Sequence, residues 1–410
     1  MTESAACPNR RPVIVVGAGP VGLSAALALR ALGRPVTVME AGEQDRLRPG
    51  SRAIFVHRAT LEILDRSHPG LAHDLAAQGL LWHTKRTFYA GREVFSRSYT
   101  PPPPGELPHF SSLPQVETER LLLQACKEAG VEFAWNQEVA TAATSGDGVL
   151  LATTGGTRWH ADYVIAADGA RSAVRDSLGI PLQGSRSDGW YVVVDAEEDP
   201  GDPLPVERIF HYAHPAVDGR NVLLVPFAGG WRVDLQLHDD DDPEELSTGE
   251  GLRGWLRAVL PAPYAERVTW SSTYRFLQVI AEDFADEHRR VLLAGEAAHL
   301  FAPFGARGMN SGVPDAEAAA NAVHLAMSAS GPARAEAAVT EYALSRRRSA
   351  VYNCDAAGAA LTHLRPGPEE RARLESAAEN AERDPSMGHW LDIAPYGPRE
   401  AAPGNTIYKY

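Results

Sequence analysis

The stretch Val13-Ile14-Val15-Val16-Gly17-Ala18-Gly19-Pro20-Val21-Gly22-Leu23-Ser24-Ala25-Ala26-Leu27 leaves this chain few options. Four β-branched apolar residues specify a buried strand, glycines follow at G-x-G-x-x-G spacing, and an Ala/Leu run continues as a helix. Gly17 permits the tight turn, Gly19 lets a pyrophosphate approach the backbone, and Gly22 lets the helix pack on the strand. The helix N-terminus presents unpaired N–H groups to that phosphate. A second strand, Pro35-Val36-Thr37-Val38-Met39-Glu40, ends in an acid about 20 residues downstream, where a carboxylate accepts hydrogen bonds from an adenosine ribose. The motif predicts a dinucleotide site; FAD, NAD and NADP all satisfy it.

At 410 residues the chain can bury a large core and is expected to divide into two closely packed domains. Its net charge of −14 argues against a nucleic-acid surface or an anionic membrane as partner. Cys7, Cys126 and Cys354 are odd in number and far apart, so no disulfide framework or metal-ligand pair is expected, which suits a reducing cytoplasm. The apolar stretch behind Arg10 and Arg11 is broken by Gly-x-Gly-Pro, unlike a signal peptide. No run of about 18 apolar residues predicts a membrane span. The acids Asp239 to Asp242 read as a solvated loop, with no histidine or spaced acid beside them to make a metal site.

Along the chain, helices are expected around 60–64, over 71–78 and from Gln115, and a strand pair around Gly91. Pro101 to Gly105 reads as an exposed polyproline loop. Strands are expected at 131–133, 149–153 and 163–167, the last running into Asp168-Gly169. From Gly189 to His238, strands alternate with hairpin-length gaps, which predicts an antiparallel sheet inserted into the nucleotide fold, a natural wall for a substrate cavity. A helix at 251–260 follows, the nucleotide fold resumes at 290–299, and Ala-rich helices fill most of the remainder.

Taken together, the glycine turn at Gly17 to Gly22, Asp168-Gly169 after a strand, and Gly295-Glu296-Ala297-Ala298-His299 followed by Pro303-Phe304-Gly305-Ala306-Arg307-Gly308-Met309-Asn310 resemble the para-hydroxybenzoate hydroxylase family of single-component flavin monooxygenases. The resemblance covers roughly residues 10 to 350. It implies an α/β fold: a Rossmann-like FAD-binding domain of the GR2 type (10–85, 111–185 and 281–350), an inserted, mostly antiparallel substrate sheet (86–110 and 186–280), and C-terminal helices (351–410). Only about 55 residues follow Cys354, so no thioredoxin-like C-terminal domain is expected.

The resemblance further implies an NADPH- or NADH-dependent hydroxylase of a phenolic or polyketide-like aromatic ring, using O2 through a flavin C4a-hydroperoxide. Other flavoenzymes on this fold, a halogenase or a reductase, and a non-catalytic nucleotide-binding protein are the alternatives. FAD contacts are expected from Gly17, Gly19, Gly22, Glu40, Arg52, Gln115, Asp168, Gly169, Glu296, Arg307, Gly308, Met309 and Asn310. Glu296 stands where relatives carry Asp, and it is expected at the end of a buried strand, where an acid needs a partner. Arg307 and the helix beginning near Met309 would meet the negative charge of reduced flavin. Pro303, Phe304 and Gly305 are expected to shape the reaction pocket. Tyr212 is the expected substrate contact, with Tyr191, His211, Phe227 and Tyr274 as alternatives. His299 is read as positional and the basic triplet Arg346 to Arg348 as a solvated face. The tail ending Thr406 to Tyr410 could cover the pocket or a partner subunit, in a monomer or homodimer.

Overall fold

The computed structural model describes residues 9–46 and 50–397; Cys7 and the tail Thr406 to Tyr410 lie outside them. The chain enters β1 (Arg10–Val16), turns at Gly17, and continues through α1 (Pro20–Ala31) to β2 (Thr37–Met39). β3 (Phe55–His57) leads into α2 (Arg58–Ser67) and α3 (Leu71–Gln78). The hairpin β4 (Thr84–Tyr89) and β5 (Arg92–Ser98) turns at Ala90 and Gly91, both at positive φ. β6 (Phe110–Ser112) pairs with β3, and α4 (Gln115–Glu128) returns the chain to β7 (Glu132–Ala134) beside β2. The meander β8 (Val139–Ser145), β9 (Gly148–Thr153) and β10 (Arg158–Ala166) follows, then α5 (Ala173–Ser177) and β11 (Leu182–Arg186).

Next come β12 (Tyr191–Glu197), β13 (Glu207–His214), β14 (Arg220–Phe227), β15 (Gly230–Gln236), α6 (Pro243–Ser247), α7 (Gly249–Val259) and β16 (Val268–Tyr274). β17 (Leu277–Ala281), β18 (Val291–Leu293) and β19 (His299–Leu300) precede the helices α8 (Arg307–Ser328), α9 (Pro332–Leu364), α10 (Pro368–Asn380) and α11 (Pro385–Ile393).

The first sheet is ordered β7-β2-β1-β10, all parallel; β10 pairs antiparallel with β9 through its first half and parallel with β18 through its last. Its central strands are unbroken apolar runs, Val13 to Val16 and Tyr163 to Ala166, as expected of strands buried on both faces. The alanines of α1 let that helix lie close to α8 and α4. The second sheet runs β16-β12-β15-β14-β13-β4-β5. It is antiparallel except where β13 meets β4, because the β4/β5 hairpin comes from a distant segment and joins the edge without a connecting turn.

The second sheet has two unlike faces. Val192, Val194, Val233, Leu235 and Trp231 pack under Leu252, Trp255 and Leu256 of the amphipathic α7. The alternate positions form three rows on the other face, read across the register: Tyr274, Tyr191, Gln236, Asn221; then Val193, Asp234, Leu223, Phe210; then Trp270, Asp195, Arg232, Val225, Arg208, Lys85.

The acids of 239–242 have individual tasks. Asp241 pairs with Arg220, Asp239 with Arg365, and Asp242 caps α6 by accepting from Glu244 N–H. The basic triplet departs from the expected solvated face. Arg346 falls on the inner stripe of α9 with Tyr342, Ser349 and Asn353, and its Nε lies 2.6 Å from Asp315 Oδ1; Arg348 remains exposed.

Candidate functional site

One cavity of about 1230 Å³ runs from the glycine turn to the three-row face of the second sheet. Its nucleotide end is built by backbone. Gly17 sits at φ 101°, and a methyl group there would strike the carbonyl of Ala167; one at Gly22 would strike the carbonyl of Gly17. α1 opens from Gly19 onto the cavity with no side-chain cap and no acid in its first turn, so its N–H groups and positive dipole end face the space. Glu40 accepts from Ala18 N–H at 2.7 Å and Gly42 N–H at 3.1 Å, while still lining the cavity.

Asp168 accepts from Ser172 Oγ at 2.6 Å and Val174 N–H at 3.1 Å, and Gly169 at φ 82° turns the loop beside it. Burial pushes the Asp168 carboxyl above its ordinary value, against those hydrogen bonds. Arg52 lines the cavity at φ 52°, with no side-chain partner among the described residues. Gln115, the first residue of α4, accepts from Ala53 N–H at 3.3 Å and donates to Glu119.

Glu296 requires a correction. The ladder of β18 stops at Leu293, the chain then takes a short 3-10 turn, and Glu296 is exposed on the cavity wall, not buried at a strand end. The turn is anchored from behind: Asp315 Oδ2 lies 2.6 Å from His299 Nε2 and accepts from Gly295 N–H at 3.1 Å. His299 is thus positional.

Pro303, Phe304 and Gly305 line the cavity and deliver the chain to α8, which starts after Ala306 at φ 53° with no side-chain cap. Gly308 and Met309 line the same space. Arg307 is 1 % exposed; it donates to Asn353 Oδ1 and to the carbonyl of Tyr396, both at 2.8 Å, tying the loop to the C-terminal region. Asn310 is a second correction, because its side chain is fully engaged within the protein. It accepts from His57 N–H and Thr60 Oγ1 and donates to the carbonyls of Phe55 and Ala306, clamping β3 and α2 onto α8.

The expected substrate contact, Tyr212, is not on the cavity. It shares the parity of Arg208 and Phe210 on β13 but lies one step past them, where α9 and α11 cover the sheet. Its hydroxyl meets His363 Nε2 at 2.7 Å and donates to the carbonyl of Leu391 at 2.6 Å, and burial drives its pKa far up. Of the alternatives, Tyr191 and Tyr274 line the cavity, whereas His211 and Phe227 do not. Tyr191 stacks obliquely on Phe276 at 4.9 Å and meets Phe304 edge-on at 5.7 Å. Sequence reasoning missed Arg208, Asp234 and the aromatic wall of Trp82, Phe55 and Phe110. The alternation of 231–236 was the available signal, since its polar parity has to face something.

Residues 10–356 match the family model described as "FAD binding domain". The chain is 30% identical over 384 residues to para-nitrophenol 4-monooxygenase of Pseudomonas sp. (strain WBC-3), covering 91% of this chain and 92% of that one. The chain belongs to the FAD-dependent aromatic monooxygenase family. It is also 34% identical over 317 residues to 6-methylpretetramide 4-monooxygenase of Streptomyces rimosus, covering 74% of this chain and 54% of that one. It therefore spans about half the length of that relative. Among solved structures, p-nitrophenol 4-monooxygenase of Pseudomonas putida DLL-E4 superposes with a TM-score of 0.76 at 26% identity, over 95% of this chain and 100% of that one.

The residues present fit the family's cofactor. A cradle closed to any Cβ at Gly17 and Gly22, an uncapped helix N-terminus and a carboxylate at Glu40 suit the adenosine diphosphate half of FAD. The second uncapped helix start, at α8, suits the electron-rich end of a flavin. Among the described residues, no helix is long and apolar enough to cross a membrane.

Proposed function

We propose that this protein is an FAD-dependent monooxygenase that hydroxylates a phenolic or polyketide-like ring with NADPH or NADH and O2. One observation carries the reading: the dinucleotide cradle and an aromatic-lined chamber are a single continuous cavity, so a flavin and a ring can meet within it. The relatives' names, a nitrophenol and a pretetramide monooxygenase, support a hydroxylated aromatic as substrate. Bound FAD would supply the redox chemistry, carrying electrons from the nicotinamide cofactor to O2, from which the inserted oxygen atom would come.

The chain's own tasks are to bind, orient and exclude water. Gly17, Gly19 and the start of α1 would hold the pyrophosphate, Glu40 the ribose side, Arg52 a phosphate, and Glu296 the ribitol. Glu296 is exposed on the cavity wall, which suits a contact with hydroxyls better than a buried strand end would. Gly308, Met309 and the backbone opening α8 would meet the flavin ring. Phe304, Phe276 and Tyr191 form an edge-on and oblique aromatic group that keeps water from the reacting face. The substrate sheet is proposed to act as a domain of its own around 186–280.

The test is oxidation of NADH and NADPH by the yellow holoenzyme against phenols and polycyclic phenols, with product mass and H2O2 followed together. A product one oxygen heavier supports the reading. Peroxide alone with every compound refutes it, and a colourless protein that takes up no FAD refutes every flavoenzyme alternative as well.

A further inference from the structure

Asp234 occupies the middle of the cavity-facing rows. Across the register its neighbours are Val193 on β12 and Leu223 on β14, both apolar and both lining the cavity. Adjacent strands lie about 4.8 Å apart, so these side chains bracket the carboxylate closely. Oδ1 of Asp234 has no hydrogen-bond partner among the described residues, and neither does the hydroxyl of Tyr191. A buried carboxylate oxygen without a donor is costly unless a ligand completes it.

The obvious protein partner is already committed. Arg232, two residues earlier on β15, directs its guanidinium to Ser51 Oγ, the carbonyl of Arg52 and Asp195. Asp195 is satisfied by Ser51 N–H and Oγ–H, at 2.7 and 2.8 Å. Tyr191, one diagonal step from Asp234, has its ring against Phe304, in the loop that opens α8. The Asp234 carboxylate and the Tyr191 hydroxyl therefore mark the polar spot on the wall that faces the loop expected to hold the flavin ring.

We propose that Asp234 is the base that takes the proton from the hydroxyl of a bound phenolic ring, an assignment that rests on the hydroxylase reading above. The O–H bond of the ring hydroxyl breaks, the proton passes to a carboxylate oxygen of Asp234, and the electron pair stays on the ring oxygen. Electron density then rises at the ortho and para carbons, where an electrophilic oxygen is accepted. The neutral carboxyl returns the proton to the product's oxygen. Tyr191 hydrogen-bonds the same ring oxygen and fixes the ring's orientation.

The charge environment suits this task. Burial raises the Asp234 carboxyl, Arg232 lowers it, Asp195 raises it and Arg208 lowers it, leaving it at about 6. Tyr191 stays neutral, its hydroxyl pushed well up by burial. At neutral pH the carboxylate is ionised, yet it is a stronger base than an exposed one.

The experiment uses the FAD-loaded enzyme and its Asp234→Asn and Asp234→Glu variants, with phenol and 4-nitrophenol as probes at about pH 8. There phenol is protonated and 4-nitrophenol is largely ionised. Asp234→Asn should lower kcat for phenol by about 100-fold or more while sparing 4-nitrophenol, and Asp234→Glu should recover much of the loss. Retained flavin absorbance shows that the variants are folded. Phenol binding to the oxidised enzyme, read from perturbation of the flavin spectrum, should weaken as pH falls through about 6 in the wild type and lose that dependence in Asp234→Asn. Equal slowing of both probes, or a binding limb that survives in Asp234→Asn, would overturn the assignment. Wild-type enzyme that shows the limb but oxygenates no phenol would sink the hydroxylase reading while supporting the contact; wild-type enzyme that binds no phenol overturns both.

Discussion

Replacing Arg346 by Met tests whether the ion pair behind the 295–299 turn holds the cofactor end of the site. Asp315 is 1 % exposed and serves Arg346 through Oδ1, and His299 and Gly295 N–H through Oδ2. Removing the guanidinium leaves a buried carboxylate short of its principal countercharge, a loss of about 3–5 kcal/mol. At about 2.1 cal/mol/K of unfolding entropy per residue, a cooperative unit of this size should melt about 4 to 6 °C lower. Circular dichroism gives the melting temperature, and the fluorescence of released FAD reports whether the turn carrying Glu296 loosens first. The double variant Arg346→Met with Asp315→Asn removes both charges and should lose less than the sum of the single changes. The pair also has a pH signature. Burial alone would raise the Asp315 carboxyl, but Arg346 and His299 hold it below its ordinary value of 3.8. Its stabilisation is therefore intact above that value and is lost as pH falls through the lower folded one. An unchanged melting temperature in Arg346→Met, or strict additivity in the double variant, would refute the reasoning.

Gly22→Ala should yield apoprotein or insoluble chain, because its methyl group meets the Gly17 carbonyl; a yellow, stable variant would contradict the cradle. Tyr212→Phe should cost about 1–2 kcal/mol through the lost hydrogen bond to Leu391 and leave the KM for an aromatic substrate unchanged; a KM effect at unchanged stability would return Tyr212 to the substrate site. His211 and His363 are each lowered by burial to about 4, so both are neutral in the folded protein at pH 6. Stability should fall as pH drops from about 6.5 towards 4, by up to about 1.4 kcal/mol per pH unit for each group, and His363→Gln should flatten the slope measured by urea unfolding.

Much of the fold was legible because its signals are local. The apolar run of β1, the glycines behind it and the Ala/Leu face of α1 state one structure at every level, and α3 occupies the 71–78 range read from the sequence. Site residues set by distant contacts were less legible. Tyr212 lost its assigned role to His363 and Leu391, residues more than a hundred positions away on helices that no strand pattern announces. Glu296 was misjudged because the ladder of β18 ends at Leu293, two residues before the motif begins. In β15 the apolar parity, Trp231, Val233 and Leu235, packs toward α7, and the polar parity, Arg232, Asp234 and Gln236, faces the other way. The face they line is a cavity, and binary pattern alone does not distinguish a wet interior wall from an exterior one.

The bond from Arg307 to the Tyr396 carbonyl has a consequence for biogenesis. The cavity takes lining from Val16 and from Tyr396, so its walls are completed only after nearly four hundred residues have left the ribosome. β1 emerges first yet waits for β10 to cover its second edge, and β10 in turn waits for β18. At about 5–20 residues per second the wait of β1 lasts about ten to thirty seconds, during which a strongly apolar strand lacks its second neighbour. Flavin loading is accordingly a late event, and a ribosome stalled before residue 396 should display a chain that binds the cofactor weakly or not at all.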